Sequence, residues 1–126
     1  MLQLDFTKNW NGKLFLDHFS DIRLHSQAFA VGVEMEVMVK SISFGLVKIE
    51  AVRQFPFSRL SDVVAYANIG KPAYYQADLL NRFYGGGQPL RPDQMLTHLV
   101  CAYIQRNILN QASLLEEWWK EKSNNA

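Results

Sequence analysis

Asp21, Arg23 and His25 fall at every second position of the run Ser20 to His25. In an extended strand that spacing puts the three polar side chains on one face. The planar fork of the Arg23 guanidinium suits a phosphate or a carbonyl edge. Asp21 can orient that fork, accept from a base edge, or act as a base. His25 adds an imidazole on the same face, and His18, three residues before Asp21, adds a residue type able to serve as general acid or base. His18 and Asp21 are therefore the candidates for proton transfer if the chain is a catalyst. A salt bridge from Arg23 to Asp21 or Asp17, or a solvated strand face, produces the same pattern. Trp10, just upstream among polar neighbours, is the aromatic best placed to wall a cleft, with core packing as the competing use.

Other chemistries find less support. His98 interrupts an apolar strand and reads as a hydrogen-bonded core histidine. No pair of histidines has the spacing of a zinc-binding helix, and Cys101 is the only cysteine, so no metal and no other cofactor is expected. Gly85 to Gly87 lacks the lysine and hydroxyl residue of a phosphate-binding loop and reads as a helix cap running into a turn. Ser20 has no nucleophile-elbow context. Trp118 and Trp119 have a surface capable of stacking on bases, but beside Leu115 they read as the docking face of a helix.

Several elements must position these groups. Leu2 to Phe6 alternates apolar and polar residues and predicts a first strand. Leu14, Phe15 and Phe19 predict a short helix over Lys13 to Phe19, followed by a short strand from Ser20 to His25. Val33, Met35, Val37 and Val39 alternate with polar residues, and Val47, Ile49 and Ala51 do the same after a turn at Lys40 to Ser43. Together they predict a hairpin. Leu60, Val63, Val64 and Ala67 lie at helical spacing, with Ser58 or Ser61 as cap and Gly70 as stop. A second helix is expected from Ala73 to Tyr84, with Tyr75, Leu79 and Phe83 on one side. Met95 to Ile104 predicts a buried strand. Ser113 and Glu116 have capping-box spacing and open a final helix, followed by a frayed tail over residues 123–126. The fold class is α+β, a curved sheet or small barrel with helices around it.

The length of 126 residues suits one domain with one core. A net charge of +1 leaves no chain-wide basic field, so nucleic acid would need a local patch. No basic-then-apolar leader and no long apolar run occurs, so neither a signal peptide nor a membrane partner is expected. A lone cysteine suits a reducing cytoplasm.

Around His18-Phe-Ser-Asp21-Ile-Arg23 the chain resembles the ASCH family of PUA-like barrels, whose members carry Gly-x-Lys-x-x-Glu-x-Arg between the first helix and the next strand. Asp21-x-Arg23 matches the acid-x-arginine end, with His18 at the lysine and Leu16 at the glycine. Gly32 before the hairpin, the two central helices, and Tyr84-Gly85 before the last strand fit the same frame. The resemblance covers Leu2 to Ile104. It implies a PUA-like small curved β-barrel over residues 1–126, with residues 110–122 an appended helix. It also implies a cleft for a nucleotide, a modified nucleoside or RNA, lined by His18, Asp21, Arg23, His25 and Trp10. One branch of the family hydrolyses N4-acetylcytidine with a lysine, a threonine and a glutamate. Here His18 falls at the lysine and Asp21 at the threonine, and Lys71 lies near the place of the glutamate. An imidazole differs from a lysine amine in reach and basicity, which favours binding over hydrolysis. Three functions stay open: a binding module, a hydrolase of a modified nucleoside, and a protein-interaction domain that dimerises through its C-terminal helix.

Overall fold

The structure is a computed structural model that describes residues 2–86 and 88–124. Gly87 and the end of the expected tail, residues 125–126, lie outside the described residues. Five strands form one sheet: β1 (Leu2–Phe6), β2 (His18–Leu24), β3 (Glu34–Val39), β4 (Ile42–Pro56) and β5 (Met95–Arg106), in the order β1-β3-β4-β5-β2. β1 runs parallel to β3, and every other pair is antiparallel. The sheet is curled into a half-barrel. Its two edge strands come close enough for Phe6 of β1 and Phe19 of β2 to meet edge to face, with ring centroids 6.2 Å apart.

Helices α1 (Asp62–Ile69), α2 (Ala73–Tyr84) and α3 (Ile108–Asn124) pack around this sheet. The β3–β4 hairpin turns at Lys40 and Ser41, both with positive φ, the geometry of a two-residue turn whose twist matches the flanking strands. Alternation then buries Met35, Val37 and Val39 on β3 and Val47 and Ile49 on β4. Ala51 is exposed instead, because the β4–β5 register shifts between Ile49 and Ala51. The main core joins these residues to Leu4, Phe6, Leu14, Phe19, Phe44, Leu99 and Cys101. A smaller cluster of Ile22, Phe55, Leu80 and Leu96 packs α2 against the sheet.

Three local expectations are corrected. The segment before β2 is a single 3₁₀ stretch, Trp10–Phe15, kinked by Asn11 and Gly12 at φ 56° and 67°. β2 therefore starts at His18, two residues earlier than the pattern predicts. On α1 the inward residues are Ala65, Asn68 and Ile69, and Val63 is 80% exposed. The α1 cap is Ser61, whose hydroxyl accepts from the Val64 N–H. Helix α3 starts at Ile108, not Ser113, because the Asn107 side chain accepts from the Asn110 N–H and caps it there. Its docked face is Gln111, Leu114 and Trp118, spaced i, i+3 and i+7. Trp118 meets Phe15 edge to face, while Leu115 and Trp119 are exposed.

Candidate functional site

Chain geometry around Gly12 makes the site. With Asn11 and Gly12 in the left-handed region, the backbone folds back and turns Lys13 inward. The side chain of Asn9 secures the bend by accepting from the Leu14 N–H at 2.9 Å. Lys13 is buried, and its Nζ donates to three acceptors: the Ser20 carbonyl at 2.7 Å, Asp21 Oδ1 at 3.1 Å, and Asn68 Oδ1. An ammonium has three donors, so this set uses all of them.

Asp21 is shared between two cations. Its Oδ2 accepts from Arg23 Nε at 2.5 Å while Oδ1 takes Lys13. Burial alone would push the Asp21 carboxyl up; Lys13 and Arg23 outweigh that and hold it below the ordinary value. Arg23 is raised, because the attraction of Asp21 exceeds the cost of its burial. Lys13 is lowered: its burial outweighs the pull of Asp21. Arg23 Nη2 also donates to the Asp5 carbonyl on β1 at 2.5 Å. One guanidinium thus bridges the two edge strands of the half-barrel. The Phe6 ring lies beneath both cations, 4.7 Å from the Arg23 guanidinium carbon and 5.5 Å from Lys13 Nζ.

A cavity of about 240 Å³ opens at this seam. Asp5, Phe6 and Thr7 line it from β1 and the residue after it, and Asp21, Ile22 and Arg23 line it from β2. Asn68 and Ile69 of α1 and Gln76, Leu79, Leu80, Phe83 and Tyr84 of α2 close it, with Trp10 at one side. Trp10 meets Tyr75 edge to face at 6.5 Å. Two side chains are notable: Asn68 is 1% exposed with its carbonyl oxygen held by Lys13, and Gln76 is 3% exposed with Oε1 buried and unpaired.

The structure thus brings Trp10, Asp21 and Arg23 to one cavity and leaves His18 and His25 outside its lining. His18 belongs to β2, where alternation gives it the face of Ser20 and Ile22 instead of that of Asp21. Its Nε2 lies 3.5 Å from Glu50 on an exposed surface. His25 follows the end of β2 and pairs through Nδ1 with Thr97 Oγ1 at 2.9 Å. His98 is half-buried, and its Nε2 lacks the partner expected of a core histidine. Burial, followed by the nearby Arg53 charge, lowers its pKa. Of the residues expected on one side of α2, Tyr75 and Phe83 are both exposed, and Phe83 lines the cavity together with Leu79. Lys71 has its Nζ over the Tyr75 ring at 5.6 Å and does not line the cavity.

Lys13, Asn68 and Gln76 went unseen in the sequence. Lys13 directly follows Gly12, without the intervening residue of the motif's Gly-x-Lys, whose spacing falls at Leu16 and His18. Asn68 and Gln76 each sit on the buried side of a helix, beside Ile69 and at i−4 from Leu80.

A second groove of about 500 Å³ meets the cavity at Trp10 and Ile69. It carries Lys8, Lys40, Lys71 and Lys122 with Glu117 and Glu121 between the 3₁₀ segment, the hairpin turn and α3. Among the described residues no group of three or more histidine, cysteine, aspartate or glutamate side chains is placed to hold a metal. No helix among them is long and apolar enough to cross a membrane.

Neither a family model nor a curated protein matches the chain. Among solved structures it is similar to protein EF3133 from Enterococcus faecalis V583, described by the family model DUF984, with a TM-score of 0.55 and 13% identity. The match covers 68% of this chain and 60% of that one. At that identity the likeness shows the fold: an α+β chain with a small, curled, barrel-like sheet.

Proposed function

We propose that this chain is a binding module for a nucleoside or nucleotide, held in the seam cavity, and that it is a divergent ASCH domain of the PUA-like group. One observation carries the reading: the charged and polar side chains of Asp21, Arg23 and Asn68 line one cavity together with the aromatic side chains of Phe6, Trp10, Phe83 and Tyr84. Apolar walls with a few convergent polar groups are what a small planar ligand needs. Arg23 brings a fork that fits a phosphate or carbonyl edge, and the lysines beyond Trp10 favour a ligand that carries phosphate. The family assignment draws support from Lys13. It sets a lysine beside Asp21-x-Arg23, as the motif does, but from eight residues before the acid and directly after Gly12 instead of one residue beyond a glycine.

Binding is favoured over hydrolysis by the state of the polar groups. Asp21 is held ionised between two cations, which makes it a weak base near neutral pH. Lys13 has every donor engaged and does not line the cavity, so its amine is not presented to a ligand. The test is calorimetric titration of nucleosides and their 5′-monophosphates into the wild-type chain and Arg23→Ala. Saturable binding that Arg23→Ala weakens supports the reading. Turnover of a bound nucleoside, or no binding by any of them, contradicts it.

A further inference from the structure

Trp10 and Ile69 line both the seam cavity and the groove of about 500 Å³, so the two spaces adjoin there. Cations attend the junction. Lys8 Nζ lies 4.5 Å from the centroid of the Trp10 ring, and Lys71 Nζ lies over Tyr75, the ring that meets Trp10 edge to face. The groove holds a second aromatic surface, the half-buried Trp118 of α3, with Lys122 Nζ 5.6 Å from its ring. Lys8, Lys40, Lys71 and Lys122 are all exposed, and Glu117 and Glu121 line the same groove. Even so, none of the four lysines forms an ion pair among the described residues. A cation resting on a ring face keeps its full charge, so an anion entering here meets ammonium groups that no carboxylate has paired.

We propose that the ligand is a dinucleotide: one nucleoside in the seam cavity, the linking phosphate beside Trp10 at Lys8 and Lys71, and the second base against Trp118. This rests on the binding reading above and deepens it. Size supports two halves. The cavity alone, about 240 Å³, lies below the roughly 300–1,000 Å³ of pockets that enclose a drug-sized ligand, whereas cavity and groove together fall inside that span. Charge sets the upper limit. Each phosphate neutralised takes up a cation, and Glu117 and Glu121 offset two of the four lysines. The groove therefore suits one or two phosphates and not a long strand, in keeping with a net charge of +1 for the chain. Stacking on an indole accepts any base, so the second base is held without being read. Helix α3 becomes part of the site, because Trp118 and Lys122 come from it.

A phosphodiester and a pyrophosphate linkage both bring this chemistry, and one experiment separates them. Uridine and adenosine series are titrated calorimetrically into the wild-type chain: the 5′-monophosphate, the 3′,5′-phosphodiester dinucleotide, the pyrophosphate-linked dinucleotide and the octanucleotide. At least one dinucleotide binds tighter than its monophosphate by about tenfold or more, because its second half docks intramolecularly. That dinucleotide also shifts the Trp118 indole resonance of ¹⁵N-labelled protein, which the monophosphate leaves in place. Lys8→Gln/Lys71→Gln changes two exposed side chains, keeps the melting temperature and removes the advantage; an advantage that survives it overturns the placement of the linking phosphate. If the dinucleotides bind no tighter than the monophosphates and Trp118 stays still, the nucleotide reading stands and this inference alone fails. An octanucleotide tighter than both dinucleotides by more than about tenfold shows a strand-binding groove and also overturns it. If no nucleotide binds, the functional reading fails and takes this one with it.

Discussion

Replacing Lys13 by methionine removes the centre of the buried network while keeping most of its volume. The Ser20 carbonyl and Asn68 Oδ1 each lose a buried donor, and Asp21 is left with Arg23 alone. An acceptor stranded in this way costs about 1–3 kcal/mol, and breaking a buried ion pair from one side costs about 3–5 kcal/mol. Arg23 still compensates Asp21, so the lower end applies, about 3 kcal/mol. For a chain of this size that lowers the melting temperature by roughly 10 °C. The pH dependence is the more specific signal. The Lys13 pKa is lowered in the fold, so between that folded value and 10.5 the unfolded chain holds more protons. The cost of burying Lys13 is thus present in full below its folded pKa, and stability rises as pH climbs through it. Each such group adds at most about 1.4 kcal/mol per pH unit. Asp21 acts at the acid end. Its folded pKa is depressed, so its contribution is present above the ordinary value of 3.8 and is lost as pH falls through the folded one. Denaturant unfolding across pH, read by tryptophan fluorescence, should show Lys13→Met without the alkaline rise and with a weaker acid slope. The double variant Lys13→Met/Asp21→Leu should be less stable than Lys13→Met, because it takes the ion-pair partner from the largely buried Arg23. A Lys13→Met protein as stable as wild type, with the same pH profile, would refute the buried network.

Three further outcomes are expected. A Cβ at Gly45 would lie 2.1 Å from the Gln105 carbonyl oxygen, at φ +126°, so Gly45→Ala should cost about 3 kcal/mol or more or prevent folding, as seen by circular dichroism. Trp118 packs on Phe15 and against Gly12, so Trp118→Ala should cost about 2 kcal/mol in urea unfolding, whereas exposed Trp119→Ala should stay within about 0.5 kcal/mol. Burial, with the Asp21 charge adding to it, pushes the fully buried Cys101 thiol up to about 12, so it should resist a thiol reagent at pH 8 until denaturant unfolds the chain; rapid labelling of the native protein would contradict its placement.

The parts of the fold that rest on period-two alternation were legible. The β3–β4 hairpin, the long apolar β5, and the pairing of Asp21 with Arg23 on one strand face follow from local pattern alone. What escaped reading depends on backbone geometry or on distant partners. His18 was assigned to a helix that the kink at Asn11 and Gly12 ends at Phe15, and a start of β2 at His18 sends its side chain to the other face. The inward face of α1 was misjudged for a polar reason. Asn68 turns inward to accept from Lys13, 55 residues away, and carries Val63 out to solvent. Apolar periodicity cannot register a helix face chosen by a buried amide. The meeting of β1 and β2 through Arg23 and Asp5 likewise depends on the curl of the whole sheet.

The central claim is that a nucleotide occupies the cavity where the edge strands meet. Titrating uridine 5′-monophosphate into ¹⁵N-labelled protein and following the Trp10 indole, the Arg23 Nε and the side-chain amides of Asn68 and Gln76 tests it most directly. Saturable shifts concentrated on those four groups, absent in Arg23→Ala, are the predicted result. No shift, or shifts gathered on the exposed face of α3 around Trp119 while the four cavity groups stay still, would contradict it.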